Sequence, residues 1–370
     1  MPDDLRLRAL ASALNGAPLQ IDDAVIDLAI DHGVAALLAR RPAGRAAAEP
    51  GAARLRAHLR EREVLTAIQD REIVRVLDLL AARGVCPLVI KGAHLAHAIY
   101  PSPALRPRGD TDLLIADRDR EQAAAALADA GYSPLAHVRG SVILGQFHFI
   151  RRDAVGVPHA LDVHWRVAAP LLFASVLPID ALRGRAVRVP ALGAQACGPS
   201  RADALVLACI HLAAHHRDSA ILLWLYDLLL LASALDDREH DAFVDTVVRS
   251  RVAAICAHAL GHADHFFDDG GLAALASRLR AEAEHRQEPS ARLLTLARPV
   301  DGLLLDLRTS PTWGLRVRLL REHLVPNRDY MRARHTRGWL PLAYARRAIA
   351  GAPAWLRAHA SGRTSKDHEW

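Results

Sequence analysis

Asp110 and Asp112 stand two residues apart in the run Arg106-Pro-Arg-Gly-Asp-Thr-Asp-Leu-Leu-Ile115. Side chains two apart on an extended strand share a face, with Cα atoms roughly 7 Å apart. Both carboxylates then point one way, and Thr111, Leu113 and Ile115 point the other. Hard oxygen ligands at that spacing suit Mg²⁺, which keeps substrate phosphates in its coordination shell. The plain alternative is a solvated Asp-x-Asp turn. A second polar face lies in Ala160-Leu-Asp-Val-His-Trp-Arg166, where Asp162, His164 and Arg166 alternate with Leu161, Val163 and Trp165. If this strand lies beside the first, Asp162 becomes a third carboxylate. Three carboxylates can hold two Mg²⁺ ions about 4 Å apart. His164 is then a candidate to orient a carboxylate or to serve as a general base.

The chain has 47 basic residues and only two are lysines, Lys91 and Lys366. Lys91 lies between an apolar run and a glycine, in Pro87-Leu-Val-Ile-Lys-Gly92, a place that calls for an ammonium rather than a guanidinium. A glycine between a strand and a helix lets backbone approach a phosphate, and the helix start offers free N–H groups. Lys91 adds charge there. Arg106 and Arg108, just ahead of the carboxylates, are further candidates to reach phosphates.

These residues need elements to hold them. Residues 1–65 read as helices, with a long helix expected from about Ala53 to Ala82 and a cap at Gly84. Residues 66–198 contain short apolar runs that alternate with helical stretches. Strands are expected at Cys86–Ile90, Asp110–Ile115, Gly145–Ile150 and Ala160–Arg166, with helices at Ala93–Tyr100 and Arg118–Ala130. Residues 199–360 return to helices. Ser200 reads as an N-cap for Arg201–His215, Ser219–Leu235 as a strongly apolar helix, and Asp241–Phe266 as one more. Residues 361–370 form a polar tail.

Composition bounds the rest. With 370 residues and 51% hydrophobic content, the chain is rich enough in apolar side chains to bury a core and is not a disordered polymer. Four scattered cysteines, with no CxxC pair, indicate neither a zinc knuckle nor a disulfide scaffold. The N-terminus lacks a long apolar run, and Ile221–Leu235 is too short to span a bilayer, so a cytoplasmic protein without membrane insertion is expected. The net charge of +6 is dispersed and has no basic block interleaved with aromatics. It suits an anionic ligand such as a nucleotide better than a long nucleic acid.

The succession Val-Ile-Lys91-Gly92, Arg106-Pro-Arg-Gly-Asp110-Thr-Asp112-Leu-Leu-Ile, Gly131-Tyr132 and Leu161-Asp162-Val-His164-Trp165-Arg resembles the uncharacterised nucleotidyltransferase family of the DNA polymerase β-like superfamily. The resemblance extends through the flanking helices to His211 and Leu223-Trp-Leu-Tyr-Asp227. It implies an α+β fold, a small mixed-sheet nucleotidyltransferase core flanked by N- and C-terminal helical regions. It also implies a nucleoside triphosphate as co-substrate and Mg²⁺ held by Asp110, Asp112 and Asp162. One departure stands out: Lys91-Gly92-Ala93 occupies the turn where the superfamily has Gly-Ser, so the hydroxyl is absent.

The expected reaction is transfer of a nucleoside monophosphate from an NTP to an acceptor hydroxyl, with release of pyrophosphate. A small molecule, sugar or natural-product intermediate is the leading acceptor. Modification of a protein or RNA, and a non-catalytic scaffold with a relic site, are the alternatives. Asp227 interrupts a very apolar helix, either as a wall of the acceptor pocket or as a buried group satisfied by an arginine. His211 and His215 have zinc-compatible i, i+4 spacing, with His216 adjacent, but no third ligand is evident.

Overall fold

A computed structural model of the chain describes residues 3–40, 51–135, 145–168, 171–174, 176–215, 220–296 and 298–325, with shorter stretches up to 349. The polar tail, residues 361–370, lies outside the described residues.

Three short helices open the chain: α1 (Asp3–Leu14), α2 (Asp23–Asp31) and α3 (Ala35–Ala39). Asp22 starts α2 by accepting the Val25 backbone N–H at 2.8 Å, which satisfies one of the donors every helix start leaves free. The long helix α4 spans Ala52–Ala82, as its spacing predicts. It passes unbroken through residues 65 and 66, so the N-terminal helices and the sheet share one element. Gly84, with φ +72°, turns the chain at its end, a conformation that costs glycine little.

The sheet is built from β1 (Leu88–Ile90), β2 (Asp110–Leu114), β3 (Ser133–Pro134), β4 (Gln146–Arg152) and β5 (Pro158–His164). Its spatial order is β1-β2-β5-β4-β3. Only β2 and β5 run parallel; the other neighbours are antiparallel. Helix α5 (Lys91–Ala98) follows β1 directly, and α6 (Arg120–Asp129) follows β2.

The two sheet faces differ as the alternation requires. Leu113, Ile115, Leu161, Val163 and Phe149 pack against Ile73, Val76, Leu77 and Leu80 of α4 and against α6. The opposite face changes character along its width. At β1 it is apolar, and Leu88, Ile90 and Leu114 join the core of the C-terminal helices. Across β2, β5 and β4 it is polar, and this polar area holds the site.

The C-terminal helices are α8 (Arg201–His215), α9 (Leu222–Ser233), α10 (Asp237–Arg249), α11 (Ala253–Phe267), α12 (Gly270–Arg286), α13 (Pro299–Thr309) and α14 (Trp313–Leu324), after the short α7 (Ile179–Gly184). Ser200 caps α8 through its Oγ, which accepts the Asp203 N–H at 3.2 Å. The single helix expected over Asp241–Phe266 is two. The chain breaks at Ser250–Val252, where Arg251 takes φ +57°. A buried acceptor explains the new start: the Glu288 carboxylate takes the Ala254 N–H of α11 at 3.0 Å. Among the described residues, no helix is long and apolar enough to cross a membrane.

Candidate active site

Register brings two of the three expected carboxylates, Asp112 and Asp162, together; Asp110 stands opposite Ala160. Asp112 lies directly opposite Asp162 on the parallel pair β2–β5, and His148 of β4 lies opposite Asp162 on its other side. Asp110 sits one pleat earlier on the same face, at the start of β2. The ligand-competent atoms of Asp112, Asp162 and His164 all lie within 4.8 Å of one another.

Asp112 is the most constrained member. Its Oδ1 accepts from Lys91 Nζ at 2.8 Å and from His164 Nε2 at 2.8 Å. A carboxylate can only accept, so the His164 proton lies on Nε2. Burial disfavours the charge on Asp112, but the Lys91 ammonium and the His164 bond outweigh it and hold the carboxyl far below the usual carboxylate range. Burial, followed by the Lys91 charge, pushes the His164 imidazole down, so it stands neutral beside its partner. Lys91 therefore points at Asp112 and lies 3.3 Å from His164 Nε2.

The turn that aims Lys91 differs from expectation. The left-handed residue is Lys91 itself, with φ +49°, and not Gly92. A non-glycine residue there costs on the order of 1 kcal/mol, which its ion pair offsets. Gly92 answers a different need. A Cβ at that position would stand 2.6 Å from Arg106 Nη1 and 3.7 Å from Arg108 Cβ.

Arg106 lies beneath this turn and is fully engaged with Asp227 of α9. Its Nε and Nη2 donate to the Asp227 carboxylate at 3.0 and 2.7 Å, and the Tyr100 hydroxyl donates at 2.7 Å. Arg106 and Asp227 are 6% and 3% exposed. Asp227 thus has the partner that a buried carboxylate in an apolar helix requires, and the pair ties the turn to the C-terminal helices. Arg108 takes another path and pairs with Asp70 of α4. His97 of α5 reaches the same Asp70 oxygen at 3.2 Å.

Asp162 is held from the β4 side. His148 Nδ1 donates to its Oδ1 at 2.6 Å, which leaves His148 Nε2 to accept from Gln146 at 2.7 Å. Neither residue stands out in the sequence as a site residue. The signal was the alternation of Gln146 and His148 with Phe147 and Phe149, and only the β4–β5 register turns it into a contact.

Asp110 reports how crowded with negative charge this face is. Burial, then the like charges of Asp112 and Asp162, push its carboxyl up to about 7. Part of Asp110 still meets solvent, and hydration offsets some of the burial cost. The like-charge share is the part that a bound cation would reverse. Oxygen donors that repel one another in this way fit a hard divalent cation.

Beside Asp110 a small cleft is lined by Gln69, Glu72, Gly109 and His159. Glu72, absent from the sequence reading, anchors its wall through Arg75, Arg151 and Tyr132. His211 stacks edge-on against Trp224, with ring centroids 5.9 Å apart. The His215 side chain and His216 lie outside the described residues.

A family model described as "uncharacterised nucleotidyltransferase" matches residues 20–268, which include every residue of this site. No curated protein matches the chain.

Proposed function

The chain belongs to the uncharacterised nucleotidyltransferase family, and from that premise we propose that it transfers a nucleoside monophosphate from an NTP to a hydroxyl of a small acceptor. The observation that carries this reading is the side-by-side register of Asp112 and Asp162, with Asp110 one pleat away on the same face.

Asp110, Asp112 and Asp162 would hold Mg²⁺. Bound there, the cation supplies charge neutralisation for the triphosphate and lowers the cost of ionising an attacking hydroxyl. The protein's own groups do the rest. The acceptor oxygen bonds to the α-phosphorus as the bond to the bridging oxygen of pyrophosphate breaks. Asp162 takes the acceptor's proton, and His148 keeps that carboxylate in place. His164 orients Asp112. Lys91, at the start of α5, exchanges its hold on Asp112 for the negative charge of the incoming phosphates. Its compact ammonium can pivot between two anions, as a planar guanidinium cannot. Arg106 supports the turn from below and does not contact the nucleotide. A small sugar or natural-product intermediate remains the preferred acceptor over a protein or an RNA, because the chain's positive charge is modest and dispersed.

The test is titration calorimetry of the full chain with each of the four NTPs, with and without Mg²⁺, repeated on Asp112→Asn and Asp162→Asn. The reading requires Mg²⁺-dependent binding of at least one NTP and its loss in both variants. Mg²⁺-dependent binding that survives in both variants refutes it.

A further inference from the structure

Two guanidinium groups near the site lack the partners that buried charge demands. The Arg108 side chain is 1% exposed, and its Nη2 is committed to Asp70. Among the described residues its Nε and Nη1 are buried with no hydrogen-bond partner. Arg62 of α4 buries Nε and Nη2 in the same condition. Gln69, which shares a face of α4 with Arg62, donates to the Arg108 carbonyl at 3.3 Å and leaves its own Oε1 buried and unpartnered. The two guanidinium groups are close enough to repel. Burial, then the Arg108 charge, pushes the Arg62 pKa down.

Unpaired buried N–H groups cost free energy, more so when they carry charge. Among the described residues Asp70 is the one carboxylate paired with Arg108, and it also serves His97. Four unsatisfied guanidinium donors therefore remain. A tetrahedral oxyanion meets that demand, because guanidinium forks match phosphate oxygens two at a time. The place is also right. Arg108 lies two residues before Asp110, and its Cβ flanks the Gly92 turn. Gln69, Gly109 and Asp110 line one cleft.

We propose that Arg62 and Arg108 form a phosphate-binding subsite beside the carboxylates. It rests on the nucleotidyltransferase reading only for the origin of the phosphate, which belongs either to the triphosphate of the donor or to a phosphorylated acceptor. Arg62 is the new member: it comes from a helix that precedes the sheet, and no motif marks it.

The experiment compares the full chain with Arg62→Gln and with Arg60→Gln, an exposed charge control on the same helix. Thermal midpoints are read in inorganic phosphate and in chloride at matched ionic strength, without divalent cation. A ligand that binds only the folded chain raises its midpoint. The parent and Arg60→Gln should be stabilised by phosphate, and Arg62→Gln should lose most of that gain. In chloride, Arg62→Gln should melt at or above the parent, because an unpaired buried charge has been removed. A purely structural arginine would give the opposite sign. Equal phosphate responses in all three proteins, or an Arg62→Gln midpoint in chloride several degrees below the parent, would overturn the proposal. Titration of Arg62→Gln with Mg²⁺ and NTP then assigns the source. A tenfold or larger loss of NTP affinity places the donor triphosphate there, and retained affinity places an acceptor phosphate there. Failure of the parent to bind any NTP would count against the nucleotidyltransferase reading while leaving the phosphate result standing.

Discussion

Replacing Asp227 with alanine should loosen the connection between the five-stranded sheet and the C-terminal helices before it alters the carboxylate face. Asp227→Ala strands the Arg106 guanidinium, 6% exposed, without the two bonds of 3.0 and 2.7 Å that it makes now. It also removes the acceptor of the Tyr100 hydroxyl. Breaking a buried pair by deleting one partner costs ~3–5 kcal/mol, because an uncompensated charge is left in a poor solvent. Taking ~4 kcal/mol and a urea m-value of ~3 kcal/mol per molar, the unfolding midpoint should fall by ~1.3 M. The double variant Arg106→Met/Asp227→Leu separates charge from shape. It removes both ions and keeps most of the volume, so it should recover most of the loss. Chemical denaturation followed by far-UV circular dichroism gives all three values, and the cycle gives the coupling energy. A single-variant cost below ~1 kcal/mol, or a double variant as unstable as the sum of its singles, would refute the reasoning. The pair would then not be buried and bonded as described.

Two further outcomes follow from the same geometry. Gly92→Ala places a Cβ 2.6 Å from Arg106 Nη1, and Asp227 keeps that guanidinium from moving aside, so stability should fall by ~1–3 kcal/mol. In an Arg106→Met background the clash disappears and the penalty should shrink; an equal penalty in both backgrounds, measured by urea midpoint, would sink the explanation. Glu72 carries a pH signature. Burial opposes its charge, but Arg75, Tyr132 and Arg151 outweigh it and lower its pKa from 4.5 to about 2. A depressed carboxylate stabilises the fold above its unfolded pKa, and that stability is lost as pH falls from about 4.5 toward 2. Because Arg75 is 42% exposed and screened, the undiscounted value should be roughly halved. The stability gap between the parent and Glu72→Gln should therefore shrink by ~1 kcal/mol between pH 6 and pH 3. A gap that stays constant over that range would mean the network does not hold the charge.

The sequence by itself marked four of the sheet's five strands and the faces of their residues; it missed β3 (Ser133–Pro134) and carried β5 two residues too far, to Arg166. Alternation is a local property, so Asp110 and Asp112 share a face whatever surrounds them, and Asp162 and His164 share theirs. It also marked Lys91, because one of only two lysines in an arginine-rich chain, set between an apolar run and a glycine, is visible without any structure. What it did not hold was any pairing across distance. The parallel β2–β5 register sets Asp112 beside Asp162, and the β4–β5 hairpin sets His148 against Asp162. No local pattern specifies either alignment. The arginines show the same limit more sharply. Arg106 and Arg108 look equivalent in Arg-Pro-Arg-Gly, but only tertiary packing decides that one meets Asp227 from α9 and the other Asp70 from α4. Buried charge seeks its partner through space, and the partner's place depends on how the helices close over the sheet.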